Sequence, residues 1–491
     1  IYQMFKSTIV FLLVAITINA VLSASSNPNI IVNPSTKKFL DPDGREMYFH
    51  GVNVMKKQFP WYPPQEFDIY ESFGPQDMAY LQEWGLNVVR LGMMWAGAEP
   101  TQGNYNETYF DIMGDLVNQM NQYGIYALID VHQDVWSYYY CGEGFPSWTC
   151  NYDLDFPAPL QVIPFHRPDG GDPSAKDCAK HPWASYYGTA AVSYTFQALY
   201  ENYFGTQDAF ISYWQKIAAL YKGATNVLGY ELINEPWAGD VYMNPELLVP
   251  GVADKLNLAP MYDNLNAAIR KNDSQHIIFF EPVTWDDAGV GFERVPGGDD
   301  FRNLSALSYH FYIPPDVSID EAMVIRMNDL NKLECAGLLT EFGADGGDAP
   351  NVLDSMIHTM DKVEEHLQGW IFWEYKCFAP DSYCNFFFNS NGTVNTERVY
   401  HYSRSYAMAV AGTTKQSIFE DATSVYTITY VINGDCTLPT EIYINEAMRY
   451  PNGYTVQFIP ELIATYTTAH NRIFVNHNIQ TATELTIKIT P

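Results

Sequence analysis

The chain has 491 residues, of which 47% are hydrophobic, so it can bury a large core, and we expect one large domain with a smaller one. Lys and Arg number 27 against 57 Asp and Glu, which gives a formal net charge of −30. So acidic a chain repels phosphate backbones and anionic lipid surfaces, and we therefore expect no nucleic-acid partner.

Residues 1–23 are predicted to be a secretory signal peptide. One lysine precedes an apolar stretch from Ile9 to Val21, and small residues follow, with a cleavage site after Ser23. A membrane anchor is the alternative, but the stretch is shorter than the ~20 residues that span a bilayer. We expect a protein without a stable membrane anchor that is secreted or enters a lysosome-like or digestive compartment. Four N-x-S/T sequons agree with this route, at Asn106, Asn272, Asn303 and Asn391.

Residues 27–410 alternate short β-like runs with amphipathic helical segments, which predicts an α/β fold of the (β/α)8 TIM barrel type. Eight runs are apolar enough to be buried on both faces, as parallel strands are. They are residues 48–54, 87–95, 126–132, 227–235, 276–282, 306–312, 337–343 and 369–375. The helical segments between them include residues 76–84, 109–123, 209–221, 259–271 and 352–368.

Two segments depart from this alternation. Residues 134–205 form a long insertion after the third predicted strand, and its many aromatic residues favour a lid or a substrate wall. The alternative is that these aromatics pack a small core of the insertion itself or stack on sugars. Over residues 411–491 the helical pattern gives way to alternating strands, which predicts a C-terminal β-sandwich domain. Its predicted strands are residues 424–432, 440–446, 454–460, 472–478 and 483–490.

The seven cysteines also favour an oxidising compartment. Two pairs are close enough in sequence to form disulfide bonds within local loops, Cys141 with Cys150 and Cys377 with Cys384. The remaining three have no assigned partner, namely Cys178, Cys335 and Cys436. No CxxC pair and no HExxH sequence is present, so we expect no zinc site.

Polar side chains recur at the C-terminal ends of the predicted strands, where such barrels carry their chemistry. Glu235 ends the fourth strand in the sequence NEP, and Glu341 ends the seventh in TEF. These strands face each other across an eight-stranded barrel, so the two carboxylates can point to one place above its axis. Two carboxylates that face a sugar are what glycoside hydrolysis requires, and a separation of ~5 to 5.5 Å gives retention of configuration.

The neighbouring strand ends supply groups that suit this chemistry. Arg90 can hold the seventh-strand carboxylate in its ionised form, and Tyr312 can donate a hydrogen bond to it. His310 can keep the fourth-strand carboxyl protonated and oriented. Asn234 can donate its amide to the sugar 2-hydroxyl, and Trp373 offers a flat surface for a sugar ring.

This ordered set of motifs resembles glycoside hydrolase family 5, a family of retaining clan A barrels. Asn-Glu-Pro ends the fourth strand, His-x-Tyr lies at the sixth, Thr-Glu-Phe-Gly at the seventh and a tryptophan at the eighth. Within that family, the sequences GVNVMKK, DVHQDVW, NEPWAG, LLTEFG and GWIFWEYK, together with the C-terminal sandwich, are similar to the endoglycoceramidases. Those enzymes cut the β-glycosidic bond between a whole oligosaccharide and the ceramide of glycosphingolipids.

The resemblance implies a role for each matched residue. Glu235 would be the acid/base and Glu341 the nucleophile, and no cofactor and no metal would be needed. The substrate would be a glycosphingolipid of the ganglioside or lactosylceramide type, presented with a detergent or an activator protein. The residues that would line the substrate site are Lys56 or Lys57, Arg90, Asp130, His132, Asp134, Asn234, His310, Tyr312 and Trp373. Whether Tyr309 shares the role of Tyr312 is left open by the sequence.

Other functions remain open from the sequence. Another retaining family 5 enzyme is the first alternative: an endoglucanase, an exo-1,3-glucanase or a glucosylceramidase. A secreted carbohydrate- or lipid-binding module with an inactive barrel is the second, although both glutamates are present. A metal-dependent hydrolase is the third, for which DVHQD (residues 130–134) is the one candidate ligand set.

Overall fold

The structure is a computed structural model that describes residues 27–150, 171–284, 288–313, 317–344, 350–378, 386–477 and 479–491. Three short strands open the chain: β1 (Ile31–Asn33), β2 (Lys38–Leu40) and β3 (Glu46–Met47). The predicted signal peptide, residues 1–23, lies outside the described residues.

Eight parallel strands then close into a barrel, in the order β10-β11-β4-β5-β6-β7-β8-β9. They are β4 (His50–Val54), β5 (Val88–Gly92), β6 (Tyr126–Asp130), β7 (Val227–Glu231), β8 (Ile277–Phe280), β9 (Ser305–Ile313), β10 (Ala336–Ala344) and β11 (Gly369–Phe372). Six of them are buried at every position, because the barrel interior covers one face and the helices cover the other. The predicted TIM barrel and its eight strands are confirmed.

The described helices lie mainly between these strands. They are α1 (Pro75–Glu83), α2 (Trp95–Ala98), α3 (Glu107–Gln122), α4 (Ala175–Cys178), α5 (Ala190–Tyr200), α6 (Thr206–Tyr221), α7 (Ala259–Ile269), α8 (Ile319–Leu333), α9 (Pro350–Glu365) and α10 (Thr396–Tyr402). Two of the longer ones, α3 and α8, begin at polar caps: Asn106 accepts a hydrogen bond from the Tyr109 amide, and Ser318 forms a reciprocal box with Glu321. Across the described ranges, no helix is both long and apolar enough to cross a membrane.

The chain folds back on itself soon after β6, within residues 131–150. Asp134 and Glu143 form an antiparallel bridge, with Glu143 N donating to Asp134 O at 2.8 Å. The fold-back is tight, since a Cβ atom on Gly142 would lie 2.0 Å from the Asp134 carbonyl oxygen. Further along, residues 190–200 form α5, which sequence patterning did not separate from the predicted insertion.

The predicted disulfide between Cys141 and Cys150 is wrong. Cys141 is bonded to Cys178, 37 residues further along the chain, at the end of α4. The buried Cys150 lies instead with its Sγ 3.1 Å from Ser137 Oγ. Sequence proximity chose the nearer cysteine, whereas the fold-back brings Cys141 against α4. The predicted partner of Cys377, Cys384, lies outside the described residues.

The C-terminal region forms two packed antiparallel sheets, which confirms the predicted sandwich. The first, β1-β2-β3-β12-β15-β18-β17, joins the N-terminal strands to the C-terminal ones, and the second runs β13-β14-β19-β16. The strands are β12 (Tyr406–Val410), β13 (Gly412–Glu420), β14 (Val425–Ile432), β15 (Thr440–Tyr443), β16 (Thr455–Ile459), β17 (Ala464–Ala469), β18 (Arg472–His477) and β19 (Glu484–Thr490). Ile442 and Ile473 of the first sheet share one buried cluster with Ile428 and Ile487 of the second.

Candidate active site

Arg90 lies at the centre of the C-terminal end of the barrel, fully buried near the end of β5. Its Nη1 donates to Glu341 Oε1 at 2.5 Å and to Asn53 Oδ1 at 3.1 Å. Its Nη2 donates to Asn234 Oδ1 at 2.8 Å, and its Nε donates to Glu231. The guanidinium therefore orients four polar side chains at once, which come from β4, from β10, and from β7 with the loop that follows it.

Glu341 is held from a second side by the neighbouring strand β9. The β9–β10 register sets Glu341 opposite His310 and Gly343 opposite Tyr312, with an irregularity between Leu339 and Glu341. The Tyr312 hydroxyl donates to Glu341 Oε2 at 2.6 Å. Both oxygens of Glu341 thus have a donor, which fixes the plane of the carboxylate.

Tyr312, rather than Tyr309, is the tyrosine that contacts the candidate site. Tyr309 lies on the same strand, but its buried hydroxyl has no hydrogen-bond partner among the described residues. Successive side chains of a strand point to opposite faces, and three positions separate the two tyrosines.

Glu235 follows β7 in an unusual backbone conformation. Its φ angle is +40°, in the left-handed region that costs a non-glycine residue about 1 to 2 kcal/mol. Its amide donates to Glu281 Oε2 at 2.7 Å, and its Oε1 is 2.9 Å from His310 Nδ1. His310 Nε2 lies 2.8 Å from Glu281 Oε1. His310 and Glu281 therefore hold both the side chain and the backbone of Glu235.

The two candidate carboxylates come together at one place. One oxygen each of Glu235 and Glu341 and one nitrogen of His310 all lie within 4.8 Å of one another. One side-chain oxygen each of Glu231 and Glu281 and one nitrogen of His310 also lie within 4.8 Å of one another. Either trio would suit a metal ion by distance alone, but Arg90 already lies against Glu231 and Glu341 as their positive partner.

A second cluster of polar side chains lies beside the cluster around Arg90 and the two glutamates, on the side of Trp373. His132 is stacked on the Trp373 ring, with 5.4 Å between ring centroids. Its Nδ1 lies 2.9 Å from Asp130 Oδ2, and its Nε2 lies 3.2 Å from Asp134 Oδ2. Lys57 forms an ion pair with Asp134, and its Nζ lies 4.5 Å from the centre of the Trp373 ring.

Of the two candidate lysines, the structure brings only Lys57 to this group. Lys56 is buried, forms an ion pair with Glu71, and donates to the Phe378 carbonyl at 3.1 Å. Lys56 therefore links its own segment to those of Glu71 and Phe378 and does not line the candidate site. Lys57 Nζ also lies 3.4 Å from Glu143 Oε1.

The charges around Glu341 favour its ionised form. Burial alone would raise its pKa, but the positive charges of His310, Arg90 and His132 and the hydrogen bond from Tyr312 outweigh burial and hold the pKa below its usual range. The opposite holds for Glu281, whose pKa is raised to about 8 by burial although His310 opposes the shift. The pKa values of these neighbouring carboxyl groups are thus shifted in opposite directions, as occurs at catalytic sites.

The sequence analysis gave no role to several residues of this centre, among them Glu231, Gln133 and Glu143. Glu231 lies inside the fourth strand, where a carboxylate in an apolar run was an available signal of a buried partner. Gln133 donates from Nε2 to the carbonyl of Glu235 at 3.1 Å. Glu143 reaches Lys57 because of the fold-back, and burial raises its pKa to about 7 although Lys57 opposes the shift. Gln133 lies inside the DVHQDVW motif, but the motif assigned it no role, and no local pattern marked Glu143.

The aromatic residues of the insertion divide between core and surface. Trp136 is fully buried, packs edge-on against Phe145 and Phe196, and donates from Nε1 to Thr149 Oγ1 at 2.7 Å. It thus belongs to the core of the insertion, as the alternative interpretation holds. Trp183, by contrast, lies at the surface and is 54% exposed. Tyr138 contacts the segment that carries Lys57, since its hydroxyl donates to the Lys57 carbonyl at 2.9 Å.

Two family models match the chain. The model for cellulase, glycosyl hydrolase family 5, matches residues 40–378, and the model for the glycoside hydrolase family 5 C-terminal domain matches residues 404–489. The first match covers the barrel, and the second covers most of the sandwich.

Individual relatives are similar over nearly the whole chain. A protein named endoglycoceramidase from Cyanea nozakii is 42% identical over 479 residues, 95% of this chain and 95% of the relative. Another of that name from Hydra vulgaris is 43% identical over 457 residues, 92% of this chain and 88% of the relative. The solved structure of the lactosyl-enzyme intermediate of endo-glycoceramidase II from Rhodococcus sp. shares the fold, with a TM-score of 0.74, 22% identity, and coverage of 92% and 99% of the two chains. The chain belongs to glycoside hydrolase family 5 and, within it, to the endoglycoceramidases.

Proposed function

We propose that this enzyme hydrolyses the β-glycosidic bond between the oligosaccharide and the ceramide of glycosphingolipids with retention of configuration. The observation that carries the proposal is the approach of Glu235 and Glu341, whose carboxylate oxygens come within 4.8 Å. Retaining glycosidases hold their two carboxyl groups ~5 to 5.5 Å apart, whereas inverting ones need room for a water.

In the first step, Glu341 attacks the anomeric carbon and Glu235 gives its proton to the departing ceramide oxygen. The glycosidic C–O bond breaks as the glycosyl ester of Glu341 forms. In the second step, Glu235 takes a proton from water, which attacks the anomeric carbon and releases Glu341. Arg90 and Tyr312 keep the nucleophile ionised and aimed, since each donates to one of its oxygens.

The glycan is proposed to lie on the side of Trp373. The ring provides an apolar surface for a sugar, and Lys57, His132 and Asp134 beside it offer donors and acceptors for hydroxyl groups. These groups are already linked to one another by ion pairs and hydrogen bonds. A sugar would therefore meet a site whose polar groups are oriented before it binds.

The ceramide is proposed to lie in an apolar groove on the other side of Glu235. Trp237, two residues beyond Glu235, lines this groove of about 530 Å³ together with Leu247, Leu248, Val249, Val283 and Ile325. The groove is tied to the catalytic loop, because the Thr284 amide donates to the Pro236 carbonyl at 3.0 Å. Residues 247–251, which line the groove, include no charged residue.

We also propose that the protein follows the secretory pathway and carries N-linked glycans. Residues 1–23 have the pattern of a signal peptide. The side chains of three sequon asparagines, Asn106, Asn303 and Asn391, are exposed in the folded chain, and Asn272 is half-buried. Exposed sequons are accessible to modification.

The test is to incubate the pure protein with a ganglioside in detergent micelles and to identify both products by mass spectrometry. The proposal expects an intact oligosaccharide and free ceramide, and neither product with Glu341→Gln. Release of single sugars from the non-reducing end would contradict it, as would turnover of glucosylceramide or β-glucans with the ganglioside left intact. The same reaction without detergent tests whether a lipid-presenting partner is required.

A further inference from the structure

The backbone of Glu235, which has a strained conformation, is held by one hydrogen bond at its amide and one at its carbonyl. Its amide donates to Glu281, and its carbonyl accepts from Gln133 Nε2 at 3.1 Å. Because φ is +40°, the peptide groups on either side would relax if they lacked these partners. The direction of the Glu235 side chain depends on this backbone conformation.

The side chain of Gln133 is itself fixed in one orientation. The Trp136 amide donates to Gln133 Oε1 at 2.8 Å, so the amide nitrogen of the glutamine must face the opposite way. That nitrogen also donates to the Asn234 carbonyl at 2.8 Å, and Asn234 Nδ2 donates back to the Gln133 carbonyl at 3.0 Å. Gln133 is completely buried, which strengthens these bonds and makes their loss costly.

We infer that Gln133 is a positioning residue that aims the acid/base Glu235 at the leaving-group oxygen. The inference rests on the acid/base role proposed for Glu235. Gln133 connects the loop after β6 to the loop after β7 and contacts neither His310 nor Glu341 by any hydrogen bond in the described residues. Its loss should therefore misplace the proton donor while the nucleophile and its donors stay in place.

The test compares two lactosides that differ in their need for an acid. In Gln133→Met, kcat/KM for a phenyl lactoside should fall by about tenfold or more, a part of the ~10²- to 10⁴-fold that a positioned acid contributes. For 2,4-dinitrophenyl lactoside, whose leaving group needs no proton, it should change by less than about threefold. Turnover of the dinitrophenyl substrate also shows that the variant is folded around an intact nucleophile.

Gln207 provides a matched control. It is also buried, and its Nε2 donates to two carbonyls, those of Leu199 and Tyr200, at 3.0 Å each. Gln207→Met should lower the midpoint of thermal unfolding without changing the ratio of the two lactoside rates. If Gln133→Met lowers both rates equally, or neither, the inference is overturned.

Glu235→Ala separates this failure from failure of the proposed function. It should discriminate between the two lactosides even more strongly than Gln133→Met does. Strong discrimination by Glu235→Ala with none by Gln133→Met would reject the positioning role alone. Equal losses on both substrates in Glu235→Ala would reject the acid/base role on which the inference rests.

Discussion

Arg90 donates to one oxygen of Glu341 at 2.5 Å, and it does so from the centre of the barrel, with no exposure to solvent. The pair explains how a buried carboxylate stays ionised, because a guanidinium cannot lose its proton in a protein and donates along fixed directions. The hydroxyl of Tyr312 completes this arrangement at the other oxygen. Removing the second donor tests how the site holds its nucleophile.

Tyr312→Phe should shift the acid limb of the pH profile of kcat/KM to higher pH. The tyrosine bond contributes to the lowered pKa of Glu341, so its loss raises that pKa and the nucleophile becomes protonated at a higher pH. A bond to a charged group is worth about 1.5 to 3 kcal/mol, so kcat/KM should also fall by about 10- to 100-fold. Tyr309→Phe is the control, since that buried hydroxyl has no partner among the described residues. An unmoved acid limb in Tyr312→Phe would reject this account.

Glu235→Ala and Glu341→Ala should give opposite products with azide. Without its acid/base, the enzyme should lose about 10²- to 10⁴-fold on a ganglioside but far less on an activated aryl lactoside. Azide can then attack the glycosyl ester on Glu341 and release a β-glycosyl azide. In Glu341→Ala, azide should replace the missing nucleophile and give the α-product. An α-azide from Glu235→Ala, identified by NMR, would be incompatible with retention.

His132 should stabilise the fold below neutral pH and lose that effect in alkali. Burial and Lys57 would lower its pKa, but Asp134 and Asp130 outweigh them and raise it to about 9. A histidine whose pKa is raised on folding contributes fully below its unfolded value near 6.5 and loses the contribution as pH rises through 9. The difference in unfolding free energy between wild type and His132→Gln should thus be on the order of 3 kcal/mol at pH 6 and shrink towards pH 9.5.

His50 should give a pH dependence of stability opposite to that of His132. Burial, together with Arg404, lowers its pKa well below the usual value, and its ring is stacked between Trp370 and Tyr406. Its unfolded state therefore binds more protons than its folded state, and its contribution is lost as pH falls below about 6.5. Denaturant unfolding of His50→Gln should show a difference from wild type that grows with pH. Parallel trends for the two variants would contradict both assignments.

The barrel and the approach of Glu235 to Glu341 could be predicted because each strand carries its own signal. An apolar run ends in a polar residue, and the eight repeats of that pattern place Glu235 and Glu341 without knowledge of any contact. The choice between Lys56 and Lys57 could not be made in this way, because adjacent residues beyond a strand point in different directions and their partners come from distant loops. Tyr312 was predicted, but whether Tyr309 shares its role stayed undecided until the strand register was known.

The remaining errors concern the insertion, where long-range folding decides local contacts. The fold-back that pairs Asp134 with Glu143 also carries Cys141 to α4, so the disulfide joins residues that no spacing rule would connect. The same fold-back encloses Trp136, which the sequence could only identify as one aromatic residue among many. The role of Gln133 was hidden because its side-chain hydrogen bonds, three of the four to backbone groups, form only once the loops after β6 and β7 have come together.

Lys57→Met should weaken substrate binding, whereas Lys56→Met should not. Without the ammonium group, Asp134 loses its ion pair and Glu143, whose pKa is already raised to about 7, takes up a proton, so the two no longer present fixed acceptors beside Trp373. Loss of one charged contact is worth about tenfold in KM for both a ganglioside and an aryl lactoside. Lys56→Met removes the ion pair with Glu71 and should lower the unfolding temperature at unchanged KM. Equal KM effects would show that the lysines do not divide in this way.

The apolar groove provides the sharpest test of the ceramide side. Leu248 and Val249 line it and are 59% and 53% exposed, so replacing both by serine changes the surface that a lipid would cover with little effect on the folded core. Burying two aliphatic side chains against a lipid is worth at least ~1.4 kcal/mol, so kcat/KM for a ganglioside in micelles should fall by about tenfold or more. Hydrolysis of a soluble aryl lactoside should stay within about twofold of wild type, because that substrate has no lipid to place. Leu462→Ser is the control for general surface apolarity, since Leu462 is 98% exposed in the C-terminal domain and should change neither rate. Equal losses on both substrates in the groove variant would mean that these residues support the barrel, and an unchanged ganglioside rate would place the ceramide elsewhere.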